Sequence, residues 1–536
     1  MKVRTDIVKM YKEIHGWVGI VSGLALFIAF YAGAITMFEV PLQRWASPPS
    51  GLSAPVSLDR TPELVSKVLA AHPEAAKGYQ VHLQTGPENP ARVSWETGGR
   101  GEDDHAPRKT FYAALDSGGA LEIEEAGPSP VAQFVDVLHQ QVGLPFAHEV
   151  AMPIMGAIAL LYAIALVSGV IVLLPSLVKD LFATRVGKNA KRMWLDVHNV
   201  LGVFSLPFHI VMALTAVVFA FHDQFYDAQG ATFAKAPEPI TQSAPPPERL
   251  TPRFASPIQV VERMKRDLPG YTIQSISYRI GPDGKPGLSI MADNPRYGLR
   301  GPTYTLGVLD PETAAITRPE YLPGLQGGWD AAITSFFALH FGNFGGNGVR
   351  WAYALLGLAG AFLFYTGNLL WVESRRRKER KTGAVEQTRA TRILAALTVG
   401  VPLGCMAGIS ITVAAAKPLG LSATEGLHST IYYAVFLGMT AWALVRGAPR
   451  ASNELVPATI AAIVSVPVIS LLTMGTHPWH VPLVDIASLT IAGALWFAWR
   501  SARYRTRHGP RDSVWSVHDT RPAAAGRDPG GNEVAV

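Results

Sequence analysis

Eight long apolar segments constrain what this chain can fold into. A helix that crosses a bilayer needs about 20 mostly apolar residues. Eight stretches approach or exceed that length: 17–38, 152–174, 197–221, 351–372, 393–416, 429–445, 455–474 and 483–499. Only 16% of the residues are charged, whereas soluble globular proteins carry about 25%. The sequence therefore predicts an α-helical integral membrane protein with about eight transmembrane helices, and argues against a soluble enzyme.

The basic residues are concentrated between alternate pairs of apolar segments and at the two termini. The stretches 1–12, 176–193, 373–392, 446–454 and 500–536 together hold 26 Lys and Arg but only 10 Asp and Glu. Their net charge of +16 leaves −10 for the rest of a chain whose total is +6. Basic loops stay on the cytoplasmic side of a membrane, so both termini are predicted to be cytoplasmic. The charge excess thus reflects topology and contact with the lipid bilayer, and no nucleic-acid partner is expected.

Two polar segments are predicted to lie outside and to repeat one pattern. Each begins with a Pro-rich linker, continues with an amphipathic helix at 61–71 or 257–268, and then has short alternating strands. This pattern predicts two small α+β domains. The full predicted division is a first helix (1–38), an outside domain (39–150), helices two and three (151–222), a second outside domain (223–349), a fourth helix (350–375), a four-helix membrane module (392–500) and a disordered cytoplasmic tail (501–536).

The repeat continues into the membrane through histidines. His15 and His198 take equivalent positions at the inner ends of the first and third apolar segments, and His139 and His340 each follow a leucine before the second and fourth. His209 comes eleven residues after His198. In a continuous helix that spacing puts both side chains on one face, about 16 Å apart. An ionisable residue inside a span is costly, so five at matched depths indicate a function.

These five histidines are the candidate axial ligands of one or two non-covalent b-type haems, with one haem toward each side of the membrane. An axial imidazole must approach from each face of the ring, and glycines near the histidines leave room for it. His15 and His198 are the first-choice pair. For a second haem, symmetry favours His139 with His340, whereas the shared helix face favours His209 with one of these two.

Three other features limit the chemistry. The single cysteine, Cys405, excludes a disulfide framework and covalent haem attachment through CxxCH. The glycine-rich stretch 341–348 follows no predicted strand, so it indicates close backbone packing and not a dinucleotide site. His82, in the first outside domain, is predicted to be solvated.

Four stretches with these histidines, 195–202, 206–209, 339–346 and 366–371, resemble the PepSY-associated transmembrane family of bacterial inner-membrane proteins. The resemblance covers about residues 10–375. It implies b-type haems held between four helices, PepSY-like outside domains, and a haem-dependent oxidoreductase that reduces a ferric siderophore or other ferric chelate for iron uptake. The implied electron donor is quinol or a separate cytoplasmic reductase. The last four apolar segments depart from the four-helix members, and the resemblance assigns them no role.

Two other functions stay open at this stage. PepSY-like domains resemble inhibitory domains of peptidase precursors, so the protein would then regulate or inhibit a periplasmic peptidase without a cofactor. The eight apolar segments and the paired repeat also suit a transporter subunit. That class usually carries buried carboxylates for ion coupling, and Asp485 alone is thin support for it.

Overall fold

A computed structural model describes residues 4–98, 109–177, 190–233, 253–281, 284–381, 387–474, 482–509 and 513–517. Within these ranges the chain is mostly helical. Six of the described helices are long and apolar enough to cross a membrane: α1 (Thr5–Thr36), α5 (His148–Leu173), α10 (Gly346–Lys381), α11 (Arg389–Leu419), α13 (Ala448–Leu472) and α14 (Pro482–His508). A bent pair, α6 (Ala190–Phe204) with α7 (Leu206–Phe233), makes a seventh if it is one span.

The predicted segment 429–445 is also helical, as α12 (Glu425–Arg446), but its length and composition do not qualify it as a span. By this criterion the eight predicted spans become six or seven among the described residues. α14 runs on to His508, so the first residues of the predicted tail are helical. The rest of that tail, beyond 513–517, lies outside the described residues.

The first four spans form one bundle. α1 packs against α5 and α10, α5 packs against α7, and α10 packs against α6. The centre of this bundle is apolar and aromatic, with Leu26, Tyr162 and Ala213 buried and Phe30 and Phe364 packed against them. The bundle therefore brings together the helices that carry His15, His198 and His209.

The third span is not the continuous helix that the sequence predicts. Its two halves meet at Ser205 and are bent by 69°. Pro207 explains the break, because proline has no N–H to donate and its ring clashes with the preceding turn. The Ser205 hydroxyl donates to the Leu201 carbonyl oxygen at 2.5 Å and satisfies one acceptor there. The prediction that His198 and His209 share one helix face is therefore wrong.

The two predicted outside domains share a single antiparallel sheet of seven strands. The first segment contributes β1 (Gly78–His82), β2 (Val93–Thr97), β3 (Lys109–Leu115) and β4 (Leu121–Glu125), and the second contributes β5 (Thr272–Ile280), β6 (Pro286–Asp293) and β7 (Thr305–Leu309). The strand order is β4-β3-β2-β1-β5-β6-β7. β1 pairs with β5 in antiparallel register, with Tyr79 opposite Tyr278. The two halves are therefore joined by backbone hydrogen bonds instead of forming separate modules.

One apolar core serves both halves of the sheet. Helices α3 (Thr61–Ala71) and α8 (Pro257–Asp267) contribute Leu64 and Met264 to the same buried cluster as Val81 and Ile276 from β1 and β5. A capping box begins α8. The Ser256 hydroxyl accepts a hydrogen bond from the backbone N–H of the third helical residue, and the side chain of that residue accepts one from the backbone N–H of Ser256. Both predicted amphipathic helices thus form, and each buries its apolar face on the sheet.

The last four helices form a second helical module that packs on the first through an apolar cluster shared with α1, with a polar link in addition. The link runs through α2 (Glu39–Ala46), where the buried Trp45 indole N–H donates to the Ser470 hydroxyl at 2.8 Å. Ser470 donates in turn to Asp485 at 2.8 Å, and the Lys417 ammonium lies 4.4 Å from the Trp45 ring centroid. Asp485 is therefore part of an inter-helix contact. On the other side of α2, Arg44 forms an ion pair with Glu88 of the sheet region at 2.8 Å.

Candidate functional site

His15 and His198 meet inside the first bundle, near its basic end. His15 lies on α1 and His198 on α6, and their ring centroids are 6.2 Å apart with the planes at 73°. The structure thus brings the first-choice pair together although 183 positions separate the two residues in the chain. We refer to these two residues as the basic-side pair.

Both rings of the basic-side pair are oriented by a neighbouring helix. His15 Nδ1 lies 2.9 Å from the Ala165 carbonyl oxygen on α5, which can only accept, so the proton is on Nδ1. His198 Nδ1 lies 3.1 Å from the Thr366 hydroxyl on α10. That hydroxyl already donates to the Leu363 carbonyl oxygen, so it accepts from His198. Each ring is therefore protonated at Nδ1, and Nε2 keeps a free lone pair.

His139 and His340 form a second pair near the sheet. His139 lies on α4 (Val131–Gln140) and His340 on α9 (Gly328–Phe341), with ring centroids 6.0 Å apart and planes at 37°. We refer to these two residues as the sheet-side pair. Of the alternatives left open by the sequence, the symmetric pairing is the one that the fold brings together.

The sheet-side pair is anchored by the same chemistry. His139 Nδ1 donates to the Ala29 carbonyl oxygen on α1 at 2.8 Å. His340 Nδ1 lies 2.8 Å from the Thr215 hydroxyl on α7, which itself donates to the Val211 carbonyl oxygen, so His340 is the donor. All four paired histidines thus use Nδ1 for a protein contact and keep Nε2 for something else. A histidine that binds a metal through one ring nitrogen usually donates its other ring N–H to a protein group in this way.

The spacing of the pairs fits two imidazoles on opposite sides of one metal ion. A metal–imidazole bond is about 2.0–2.1 Å long and a ring nitrogen lies about 1.1 Å from the ring centroid, so opposed axial rings have centroids about 6.2–6.4 Å apart. The observed separations are 6.2 and 6.0 Å. Among the described residues no group of three or more His, Cys, Asp or Glu could hold a metal ion. Each pair offers two imidazoles, and two protein ligands are the number that a six-coordinate haem takes.

His209 has different surroundings from the four paired histidines. Its side chain is fully buried, and Nδ1 contacts the Tyr162 hydroxyl at 2.5 Å. The rings of Phe30, Phe208 and Phe364 also pack on it. Its Nε2 has no hydrogen-bond partner among the described residues. Phe30 follows Ala29 and Phe364 precedes Thr366 by two residues, so this aromatic cluster includes a chain neighbour of an anchor of each pair.

A glycine of α1 makes room for the ring of His139, which leads to a prediction. A Cβ added at Gly33 would lie 2.7 Å from His139 Nδ1, so Gly33→Ala must displace the ring from the Ala29 carbonyl. Loss of an outer-shell contact typically weakens metal binding roughly 10–100-fold. We expect that loss of affinity for haem at the sheet-side pair, measured by haem titration. Gly438→Ala is the control, because nothing lies within 4 Å of its added Cβ and α12 carries neither pair.

Sequence reasoning missed the residues that orient the histidines. Thr366 lies in a stretch that carried the family resemblance, so the sequence did contain an indication that this residue belongs to the site. Ala29 and Ala165 act through their backbone carbonyls, and Thr215 is one of several hydroxyls in apolar segments, so none of these could be singled out. The glycine-rich stretch 341–348 does pack closely, as predicted: Asn343 bonds to the backbone of Leu299 and Gly301 at 2.7–3.0 Å.

Comparison with models of known protein families matches residues 12–374 to the PepSY-associated TM region. This match covers more than half of the chain and spans all five candidate histidines. It confirms the resemblance noted from the sequence and leaves out the last four helices, as expected. No curated protein matches the chain.

Proposed function

From the premise that the chain belongs to the PepSY-associated transmembrane family, we propose that it is a haem-dependent oxidoreductase of the bacterial inner membrane. It binds one or two b-type haems and passes electrons outward to a ferric siderophore or other ferric chelate. Both termini are cytoplasmic in this proposal, because the net charge of +16 lies on the five stretches at that side. The electron donor is quinol or a separate cytoplasmic reductase.

The observation that carries the proposal is the paired arrangement of four histidines with free Nε2 atoms. In each of the four rings Nδ1 is already used within the protein, which leaves Nε2 available to a ligand. Here the basic-side and sheet-side pairs repeat one geometry, at 6.2 and 6.0 Å, on two sets of helices. Repetition of spacing, tautomer and anchoring supports a common role as axial ligands at two depths.

A haem with two axial histidines has no open position for oxygen and supplies outer-sphere electron transfer. The residues of this chain hold the ligand rings in place and keep water out. Ala165 and Thr366 orient the basic-side pair, and Ala29 and Thr215 orient the sheet-side pair. The aromatic cluster around His209 fills the bundle between the two pairs with apolar rings.

A cleft beside α9 supports a binding site for the ferric chelate. Its volume is about 560 Å³, within the usual range for small-molecule sites. Ala338 and Leu339, which line it, directly precede His340, and Tyr297 and Phe344 add aromatic walls. A chelate in this cleft would lie next to the sheet-side pair, so the last transfer step would be short.

The visible spectrum of the purified protein tests the proposal. We expect oxidised and dithionite-reduced spectra of low-spin b-type haem, with about two haems per chain when both pairs are loaded. Reduced protein mixed with a ferric hydroxamate is then expected to return to the oxidised spectrum. Protein made under haem-replete conditions that shows no Soret band would contradict the proposal and would favour a cofactor-free regulator of a peptidase.

A further inference from the structure

The basic end of α14 carries a row of arginines that have aromatic neighbours but no acidic ones. Arg500, Arg503 and Arg507 are exposed and follow each other at helical spacing. Among the described residues none of the three forms an ion pair with a carboxylate. They line a notch of about 340 Å³ together with Trp496, Trp499, Tyr504 and His508.

Two tryptophans hold two of these arginines in fixed positions. The Arg500 guanidinium lies 4.9 Å from the ring centroid of Trp496, and that of Arg503 lies 5.2 Å from the ring centroid of Trp499. Stacking of a guanidinium on an indole ring is favourable. The Trp499 indole N–H is buried and has no acceptor among the described residues. The notch is therefore lined by guanidinium donors and has no carboxylate among its lining residues.

The same Trp–Arg arrangement occurs elsewhere in the chain with its acceptor present. On α12 the Arg446 guanidinium lies 5.7 Å from the Trp442 ring centroid, again four residues apart. There Glu454 accepts both the Trp442 indole N–H, at 2.7 Å, and hydrogen bonds from Arg446. One carboxylate thus satisfies the two kinds of donor that remain free on α14.

From this comparison we propose that the notch on α14 binds the phosphodiester of an anionic phospholipid. The phosphate takes the place that Glu454 holds on α12, because its oxygens accept hydrogen bonds from guanidinium groups as a carboxylate does. The lipid is favoured as the source because α14 is little covered by protein and exposes apolar side chains beside the notch. Phe497 is 68% exposed and Trp496 is 41% exposed. Basic clusters at a membrane end bind anionic headgroups in this way.

The inference does not depend on haem binding, and its test uses the complete membrane protein. Phosphatidylglycerol is titrated into delipidated protein in mild detergent, and bound lipid is counted by native mass spectrometry. Each arginine near the membrane surface adds about 1 kcal/mol to binding of anionic lipid, so R500Q/R503Q/R507Q is expected to weaken binding about 100-fold. R446Q is the matched control and is expected to bind phosphatidylglycerol as the unaltered protein does.

Three outcomes would overturn the proposal: equal affinity in the triple variant, an equal loss in R446Q, or displacement of the lipid by inorganic phosphate at matched concentration. The last would identify free phosphate as the ligand. If the triple variant does not fold, R503Q alone is expected to weaken binding about fivefold and R503K less, since lysine keeps the charge. Phosphatidylcholine is expected to bind all variants with equal affinity. A loss of phosphatidylcholine binding in the triple variant that equals the loss of phosphatidylglycerol binding would also contradict the proposal.

Discussion

Replacing His198 with alanine is expected to remove about one haem per chain and to leave the other in place. The reason is that His198 and His15 face each other at 6.2 Å and no other histidine ring is in contact with either of them in the described chain. His340→Ala is expected to remove about one haem at the sheet-side pair for the same reason, given the 6.0 Å separation from His139. The measurement is haem per chain by pyridine haemochrome, with a redox titration to show which component is lost.

Two further variants, a double substitution and a substitution at His209, test the same assignment of ligands. H198A/H340A is expected to bind no haem, because each pair then lacks one ligand. His209→Phe is the matched control: it keeps an aromatic ring in a site already lined by Phe30, Phe208 and Phe364, and is expected to retain both haems. Loss of a haem in His209→Phe, with full haem in H139A, would instead favour the pairing of His209 with His340.

Lowering the pH from 6.5 to 4 is expected to destabilise the sheet by about 3 kcal/mol through His82 alone. The prediction that His82 is solvated is wrong. Its side chain is 5% exposed on β1, with Nε2 at 2.7 Å from the Ser94 hydroxyl. Burial lowers the pKa of His82 to about 4, and the nearby Arg92 guanidinium contributes to the same shift. The folded sheet therefore keeps this ring neutral.

The sign of the effect follows from proton binding. Between pH 6.5 and 4 the unfolded chain binds a proton at His82 that the folded chain does not, so falling pH favours unfolding. Above pH 6.5 both states are neutral there and the stabilisation is complete. Hydrogen exchange of peptides from β1 and β2, corrected for the intrinsic pH dependence, measures the loss. The variant His82→Gln has no titrating ring, so its free energy of unfolding is expected to fall by about 3 kcal/mol less than that of the unaltered protein over this pH range. An equal fall in the two proteins would contradict the assignment.

Much of the architecture could be predicted because it depends on local pattern. The apolar segments became helices at the expected places, and the helix predicted at 61–71 is α3 (Thr61–Ala71). The strand patterns also formed strands within a few residues. Errors arose where distant segments meet. The pairing of β1 with β5, with Gly78 opposite Arg279, joins backbones that no local pattern links, so one sheet was predicted as two domains.

The candidate site was likewise predicted in part from the sequence and decided in part by the tertiary structure. The repeat in the sequence identified His15 with His198 as a pair, because equivalent positions in two parallel units meet across a common axis. The choice between His209 and His139 as the neighbour of His340 assumed a straight third span, and the bend at Ser205 removes that assumption. A single proline can redirect a helix, and its effect on distant side chains is not visible in spacing alone.

The sequence by itself determined that this is a multi-pass membrane protein of the PepSY-associated transmembrane family, that its basic residues cluster at the termini and between alternate pairs of apolar segments, and that five histidines take related positions. These conclusions rest on composition, spacing and short motifs, which are local features of the chain. Tertiary structure decided which histidine faces which, which nitrogen each ring leaves free, and that Glu454 has a counterpart site on α14 without a carboxylate. Such features depend on hydrogen bonds and packing between helices far apart in sequence, so they exist only once the bundle has formed.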